Sequence, residues 1–477
     1  MAYQREYPDV DPNRYNDNWL LHKMKCLIQD FLSLENRMSD LEDFVKNYFD
    51  NLDISSEVSN KIDQMIADGS FQEIVNDYLN GDFINVRLEG AKGDGISNDT
   101  AIIMEAAAKA KSERKRLYFP AGIYICNAEI IVWEGCHIFG DGIGATVIRC
   151  NKESNGQMIN IPQAEYTSAE NNFTNYVTIS DITLDGNHLI KGHGIRALGC
   201  RDWLIRRVEV CNQQGYGIGF QGFRNGAPIN RSGVAVNVHI EDCYIHDNGA
   251  ETDADGIDFK DSDACVITGC LIVNNGDNGI DFRGRNGVIE NCYCRGVNSS
   301  CRLRCDTRSS GRLSCSVNNC ILGDIDINEQ LTDALHPPTY HVNLSNLRID
   351  NNKDSAYGIE IRFSTQKATG VITVSDIECY TMSGIRVYSP ANDHMNGIVK
   401  VSDFTWYPPP NFTQNRVAVR SGLAEAIYSN IVAPIGDVFQ WSEGGGAEAI
   451  FNSPYYGSIS DVWHGIEPKV FNVLSRG

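Results

Sequence analysis

Apolar residues follow two different periods along this chain, and the change from one to the other divides it. From Leu20 the apolar positions are Leu20, Met24, Leu27, Phe31, Leu34, Met38, Leu41, Val45, Tyr48 and Leu52, spaced alternately four and three. A seam of period 3.5 predicts a left-handed coiled coil, because a helix lying on a globule needs a wider apolar stripe. The mixed Met, Phe and Val set in that seam leaves the strand number open. Two shorter amphipathic helices are predicted next, over 56–67 (Val58, Ile62, Met65, Ile66) and 71–79 (Phe71, Ile74, Val75, Tyr78), parted by Asp68-Gly69-Ser70.

At 83 the texture changes. Asp99 or Thr100 can cap an Ala-rich helix over about 101–112, and short β-type runs such as LYFPAGIYIC follow. From about 175 a repeat takes over: ISDITL, IRRVEV, IEDCYI, ITGCLI, IENCYC, VNNCIL, LSNLRI, VSDIEC and VSDFTW, beginning at 179, 205, 240, 267, 289, 317, 344, 374 and 401. Each is an apolar strand, a polar corner and a second apolar strand. Runs such as GIRAL, GIGFQ, GIDFK, GIDFR and GIEIRF interleave with them. Short strands with a period in the twenties predict a parallel β-helix, its apolar column stacking from rung to rung. A leucine-rich repeat would need its Leu/Asn consensus, and a TIM barrel long helices between strands; neither pattern is present. The helix near 101–112 covers the open end of the stack.

Tyr407-Pro408-Pro409-Pro410 breaks any central strand, so the regular coil is expected to stop there. The expected division is 1–55 N-terminal segment and coiled-coil stalk, 56–82 helical neck, 83–150 cap and first rungs, 151–407 body, and 408–477 of unassigned topology.

Composition narrows the partners. A net charge of −21 opposes binding to nucleic acid or an anionic membrane. The N-terminus carries no signal-peptide pattern and no run reaches membrane-spanning length, so synthesis in a cytoplasm without membrane insertion is expected. Sixteen cysteines in such a chain read as reduced thiols. Cys243, Cys270, Cys292 and Cys320 share one position in successive repeats, which suits a buried column, and no zinc-type spacing occurs.

The stretch 253–285 holds the candidate chemistry. Gly-Ile-Asp-Phe occurs at 256–259 and again at 279–282, which places Asp258 and Asp281 side by side on the outer face of stacked strands. Asp255, Asp277 and Asn278 lie just upstream. Reading the outward positions onward gives a charged ladder: Arg196, Gly219, Asp258, Asp281, Arg302 and Arg304, Asp326, Glu360 and Arg362, then Arg386 and Tyr388. Crowded carboxylates raise one another's proton affinity, as a general acid requires, and glycoside hydrolysis needs two of them across a bond. Asp255, Asp277, Asn278, Asp258 and Asp281 are therefore the catalytic candidates. Arg283, Arg302, Arg304, Glu360 and Arg362 are the substrate-binding ones, the arginines suiting an acidic sugar. A lyase would instead use the acids for Ca²⁺ with Arg or Lys as base; otherwise no metal or cofactor is expected. Solvation of an exposed polar face is the bland alternative for Asp258, Asp281 and Glu360.

GAKGDGISNDTAII followed by YFPAGIYIC resembles the opening of the pectate-lyase-like superfamily, with Asn98 where an aspartate is usual, which implies a right-handed parallel β-helix. Within that superfamily, DADGIDF and NNGDNGIDFRG are similar to the paired polygalacturonase motifs. The resemblance implies that Asp277 is the general acid and that Asp255 and the position of Asn278 hold the attacking water; Asn278 replaces the usual aspartate. Gly192-His193-Gly194 lies out of order for the family's later Gly-His-Gly and is not carried over. A heptad stalk ahead of such a body resembles a bacteriophage tailspike or tail appendage. That implies a homotrimer in the virion tail, joined through its N-terminal region to other tail or baseplate proteins. It would bind and depolymerise a bacterial surface polysaccharide as a hydrolase or lyase, or serve as a non-catalytic receptor-binding or structural protein.

Overall fold

The structure is a computed structural model that describes residues 56–68, 70, 81–161, 173–220, 235–249, 254–306, 312–330, 338–351, 357–363, 369–388, 396–407, 417–422, 426–432 and 437–441. The heptad stretch, the second neck helix and everything past 441 lie outside the described residues. The chain separates into two compact units, 1–81 and 82–477. In the first, the helix Ser56–Ala67 is described.

The second unit is built almost entirely of parallel strands, coiled as in a parallel β-helix. Pairing runs in parallel from Phe83–Asn85 to Asp437–Trp441. The recurring corner explains the coil. In each motif the third residue (Asp181, Arg207, Asp242, Gly269, Asn291, Asn319, Asn346, Asp376 and Asp403) has φ between 50° and 66°. The left-handed region costs an ordinary L-residue about 1–2 kcal/mol, and Asn, Asp and Gly least. The chain bends there without leaving the ladder: Cys200–Cys211 pairs first with Ala235–Glu241 and, past Arg207, with Tyr244–His246. Among the described residues a separate sheet of twelve strands contains the Gly-Ile strands.

Inside, the column Ile179, Ile205, Ile240, Ile267, Ile289, Val317, Leu344 and Val374 is fully buried. On the Gly-Ile sheet, Phe220 stacks on Phe259 at 4.5 Å, and Phe259 meets Phe282 at 5.7 Å. Each such side chain contributes about 1.5–3 kcal/mol by leaving water. Cys243, Cys270, Cys292 and Cys320 are buried in one column, and burial pushes the thiols of Cys136, Cys265 and Cys379 up to about 12. Trp203 and Trp406 are core residues as well.

Two details differ from the sequence reading. The cap helix is Thr100–Glu113 and buries Ile103, Ala106, Ala107 and Ala110, but Asp99 does not cap it through its side chain. Its carboxylate accepts instead the backbone N–H groups of Lys92 (2.7 Å) and Gly93 (3.0 Å), tying down the glycine loop, while Asn98 Oδ1 accepts from Thr100 N. The stack also passes Tyr407: Val417–Gly422 pairs with Ser383–Tyr388, and Ala426–Val432 with Asn396–Trp406. Parallel pairing is thus described on both sides of the three prolines.

Candidate functional site

The Gly-Ile sheet puts the ladder in register. Asp258 pairs with Asp281, Asp281 with Arg302, Arg302 with Asp326, Asp326 with Glu360, and Glu360 with Arg386. Toward the N-terminal end Asp258 pairs with Gly219, and Gly219 with Arg196. A second row runs Arg304, Asn328, Arg362.

Burial separates the members of the ladder. Asp255, Asp258, Asn278, Asp281 and Arg283 are 0–3% exposed, although the alternation of the strands points Asp258 and Asp281 away from the interior. Two things cover them. The residue two places after each aspartate folds back as a cation: Lys260 Nζ is 2.6 Å from Asp258 Oδ2, and Arg283 Nη2 is 2.7 Å from Asp281 Oδ2. Arg304 adds a second cation to Asp281 at 3.4 Å. Tyr216 lies above, with Lys260 over its ring, and burial followed by the charges of Asp258, Asp255 and Asp281 raises its phenol.

Asn278 joins the two upstream acids. Its Nδ2 donates to Asp255 Oδ1 at 2.6 Å and to Asp277 Oδ2 at 2.9 Å, and its backbone N–H donates to Asp255 Oδ1 at 3.0 Å. Burial, then the charges of Asp281 and Asp258, push Asp255 well above the usual carboxylate range; Asn278 and Lys260 oppose this. Asp258 is pushed up to about 6, mainly by burial, with Lys260 holding it down. Asp277 keeps 15% of its side chain exposed, accepts Asn298 Nδ2 at 2.6 Å and stands 4.0 Å from Arg302.

The structure therefore brings together Asp255, Asp258, Asp277, Asn278, Asp281, Arg283, Arg302 and Arg304. Glu360 and Arg362 stand further along the ladder, paired with Arg386 (3.3 Å) and Asp326 (3.4 Å). Arg283 is sealed against Asp281, so it holds the acid rather than lining the surface. The sequence reading passed over Tyr216 and Lys260 and did not carry over His193. His193 Nδ1 accepts the backbone N–H of Tyr216 at 3.1 Å, and the rings lie 4.7 Å apart. Burial, with Arg196 and Lys260 nearby, pushes His193 down to about 3, so it is neutral at pH 7. Its signal was the spacing: His193 and Tyr216 are 23 residues apart, one coil.

Asp255, Asp258 and Asp281 can each offer an oxygen within 4.8 Å of the others. A Ca²⁺ ion takes six to eight oxygens, and two of these three acids already have a cation within 2.7 Å. The cluster fits charge pairing better than a resident divalent ion.

Comparison with known proteins places the fold in a family. The profile of the rhamnogalacturonase A/epimerase, pectate lyase-like family matches residues 83–325, and the chain belongs to that family. Among curated relatives, Mannuronan C5-epimerase AlgE2 of Azotobacter vinelandii is 31% identical over 185 residues, 35% of this chain and 17% of that protein. The pre-neck appendage protein of Bacillus phage phi29 is 24% identical over 328 residues, 63% of this chain and 37% of that protein. This chain thus spans well under half the length of these relatives. Among solved structures, the A-module of mannuronan C-5 epimerase AlgE4 from Azotobacter vinelandii superposes with a TM-score of 0.51 at 20% identity, over 79% of this chain and all of that one.

Proposed function

We propose that this chain is a virion tail component that binds a bacterial surface polysaccharide along the ladder face and modifies it at Asp255, Asn278 and Asp277. The observation that carries the reading is the Asn278 bridge, which couples a buried Asp255 of raised proton affinity to a partly open Asp277. Two carboxylates in unlike surroundings are what acid–base work on a sugar requires. The two bridged oxygens are at most about 5.5 Å apart, and the Asn278 amide bonds to both. This favours retaining-type hydrolysis or proton abstraction over the water-holding pair that the motif resemblance implied. Arg302 beside Asp277 suits an acidic sugar, as do the names of the epimerase relatives.

The tail assignment rests on the likeness to the phage pre-neck appendage protein. With it go synthesis in the host cytoplasm, attachment to other tail or baseplate proteins through the N-terminal region, and a homotrimer held by the heptad stalk. Deleting 1–55 should lower the mass in light scattering; an unchanged trimer would remove the stalk from this account.

A second reading, binding without catalysis, has its own support. Asn278 stands where the family's motif has an acid, and Asp258 and Asp281 are each neutralised by a cation. Host capsule and wall glycans incubated with the protein separate the two. Shortened chains with new reducing ends indicate hydrolysis, and an unsaturated-uronate absorbance indicates elimination. Unchanged glycan that co-sediments with the protein indicates binding alone. Activity that survives both Asp255→Ala and Asp277→Ala would remove this site.

A further inference from the structure

Arg196 differs from the other arginines of the ladder face. Arg283 and Arg304 are ion-paired with Asp281, Arg302 and Arg362 with Asp326, and Arg386 with Glu360. Among the described residues Arg196 has no ion-pair partner, and its Nε is buried without a hydrogen bond. On the preceding rung its register partner is Asn160, whose Nδ2 donates to Glu129 at 2.8 Å. The Oδ1 of Asn160 is likewise buried and unbonded.

On the following rung the register partner is Gly219. A Cβ there would come within 3.2 Å of the His193 ring and 3.4 Å of the Tyr216 ring. The missing side chain lets the two rings lie against the strand, between Arg196 and the acid cluster. An unmatched planar cation, an unmatched amide acceptor and a ring surface thus occur on three adjacent rungs, roughly 4.8 Å apart per step. Leaving a buried donor or acceptor unbonded is costly, so a ligand that completes both gains from each.

We propose that Arg196 binds the carboxylate of an acidic sugar unit, that Asn160 Oδ1 accepts one of its hydroxyls, and that the unit lies against the rings of His193 and Tyr216. This rests on the proposed glycan-binding face and assigns it a specificity residue. The guanidinium fork matches a planar carboxylate with two parallel hydrogen bonds. The site is next to Asp258 on the ladder, so the anchored unit lies beside the candidate chemistry.

The test uses the full chain and short oligomers of mannuronan and of polygalacturonate, each also in carboxyl-reduced form, with titration calorimetry for affinity. The wild type is expected to bind at least one acidic oligomer. Arg196→Gln should weaken that binding about tenfold or more, and Arg196→Lys, which keeps the charge, should recover part. Neither variant should change the weaker binding of the reduced oligomers. The proposal is overturned if the wild type binds no acidic oligomer, if reduced oligomers bind as well as acidic ones, or if Arg196→Gln binds like the wild type. Turnover is scored separately with Asp277→Ala. Arg196-dependent binding without turnover in any protein would support this site while sinking catalysis. Turnover lost in Asp277→Ala but unaffected in Arg196→Gln would do the reverse.

Discussion

Asp258 and Asp281 are register partners on adjacent strands, yet each is neutralised from within its own strand, by Lys260 at 2.6 Å and Arg283 at 2.7 Å. The twin motif is thus Gly-Ile-Asp-Phe-cation, and two like charges one rung apart coexist because each carries its own counter-ion. Like carboxylates at this spacing would otherwise repel strongly in a water-poor site.

Removing Lys260 should show this. Lys260→Ala leaves Asp258, with no exposed surface, without its nearest cation. Breaking one side of a buried pair costs about 3–5 kcal/mol, so the apparent melting temperature should fall by several degrees. Adding Asp258→Asn should recover much of the loss. A double variant no better than Lys260→Ala would mean that Lys260 acts by packing on Tyr216 instead.

Asn278→Asp restores the acid that the family motif carries. Here it replaces an amide that donates to two carboxylates with a third carboxylate at 2.6 and 2.9 Å. The variant should lose about 2 kcal/mol of stability at pH 7, and less at pH 5, where protonation relieves the repulsion. Denaturant melts at the two pH values measure it; an equal loss at both would reject repulsion as the cause.

The thiols make a separate prediction. All fifteen described cysteines are buried, and burial pushes the thiol of Cys126 up to about 11 and those of Cys136 and Cys265 to about 12, so few thiolates form at neutral pH. Ellman's reagent should react with at most one or two thiols of the native protein and with all sixteen after unfolding in guanidinium. Rapid labelling of several native thiols would contradict the buried column.

Much of the fold was legible in the sequence for a definite reason. The corner needs a left-handed residue, so Asp181, Asp242, Gly269, Asn291 and Asn319 recur at one place in a repeat otherwise free to vary. Alternation within the Gly-Ile strands likewise implied the register from Arg196 to Arg386. Burial of the acids was not legible. It depends on Tyr216, one rung before Asp258, and on Lys260 and Arg283 turning back over their own strands rather than into solvent. His193 was set aside because its Gly-His-Gly sits out of order for the family; stacking, not order, brings it to Tyr216. The prolines after Tyr407 looked like an end because no central strand tolerates them, yet Val417–Gly422 pairs again with Ser383–Tyr388.

The acid cluster also sets a pH dependence opposite to that of ordinary salt-bridged carboxylates. Asp258 is raised to about 6 from 3.8, and Asp255 is raised too, so the folded state holds protons that the unfolded chain has released. Between pH 4 and 6 the native state therefore binds more protons, and stability falls as pH rises through this window, then levels off. For Asp258 the full effect is about 3 kcal/mol at 1.36 kcal/mol per pKa unit. Asp185 and Glu209 work the other way: both are lowered, so their stabilisation is present above the unfolded pKa and lost as pH falls. The comparison that isolates the cluster is Asp258→Asn against the wild type, melted in denaturant at pH 4.5 and 7. From pH 4.5 to 7 the variant should lose less stability than the wild type, which gives up its bound proton over this range. A difference between the two proteins that stays constant across this range would mean that Asp258 is not protonated there.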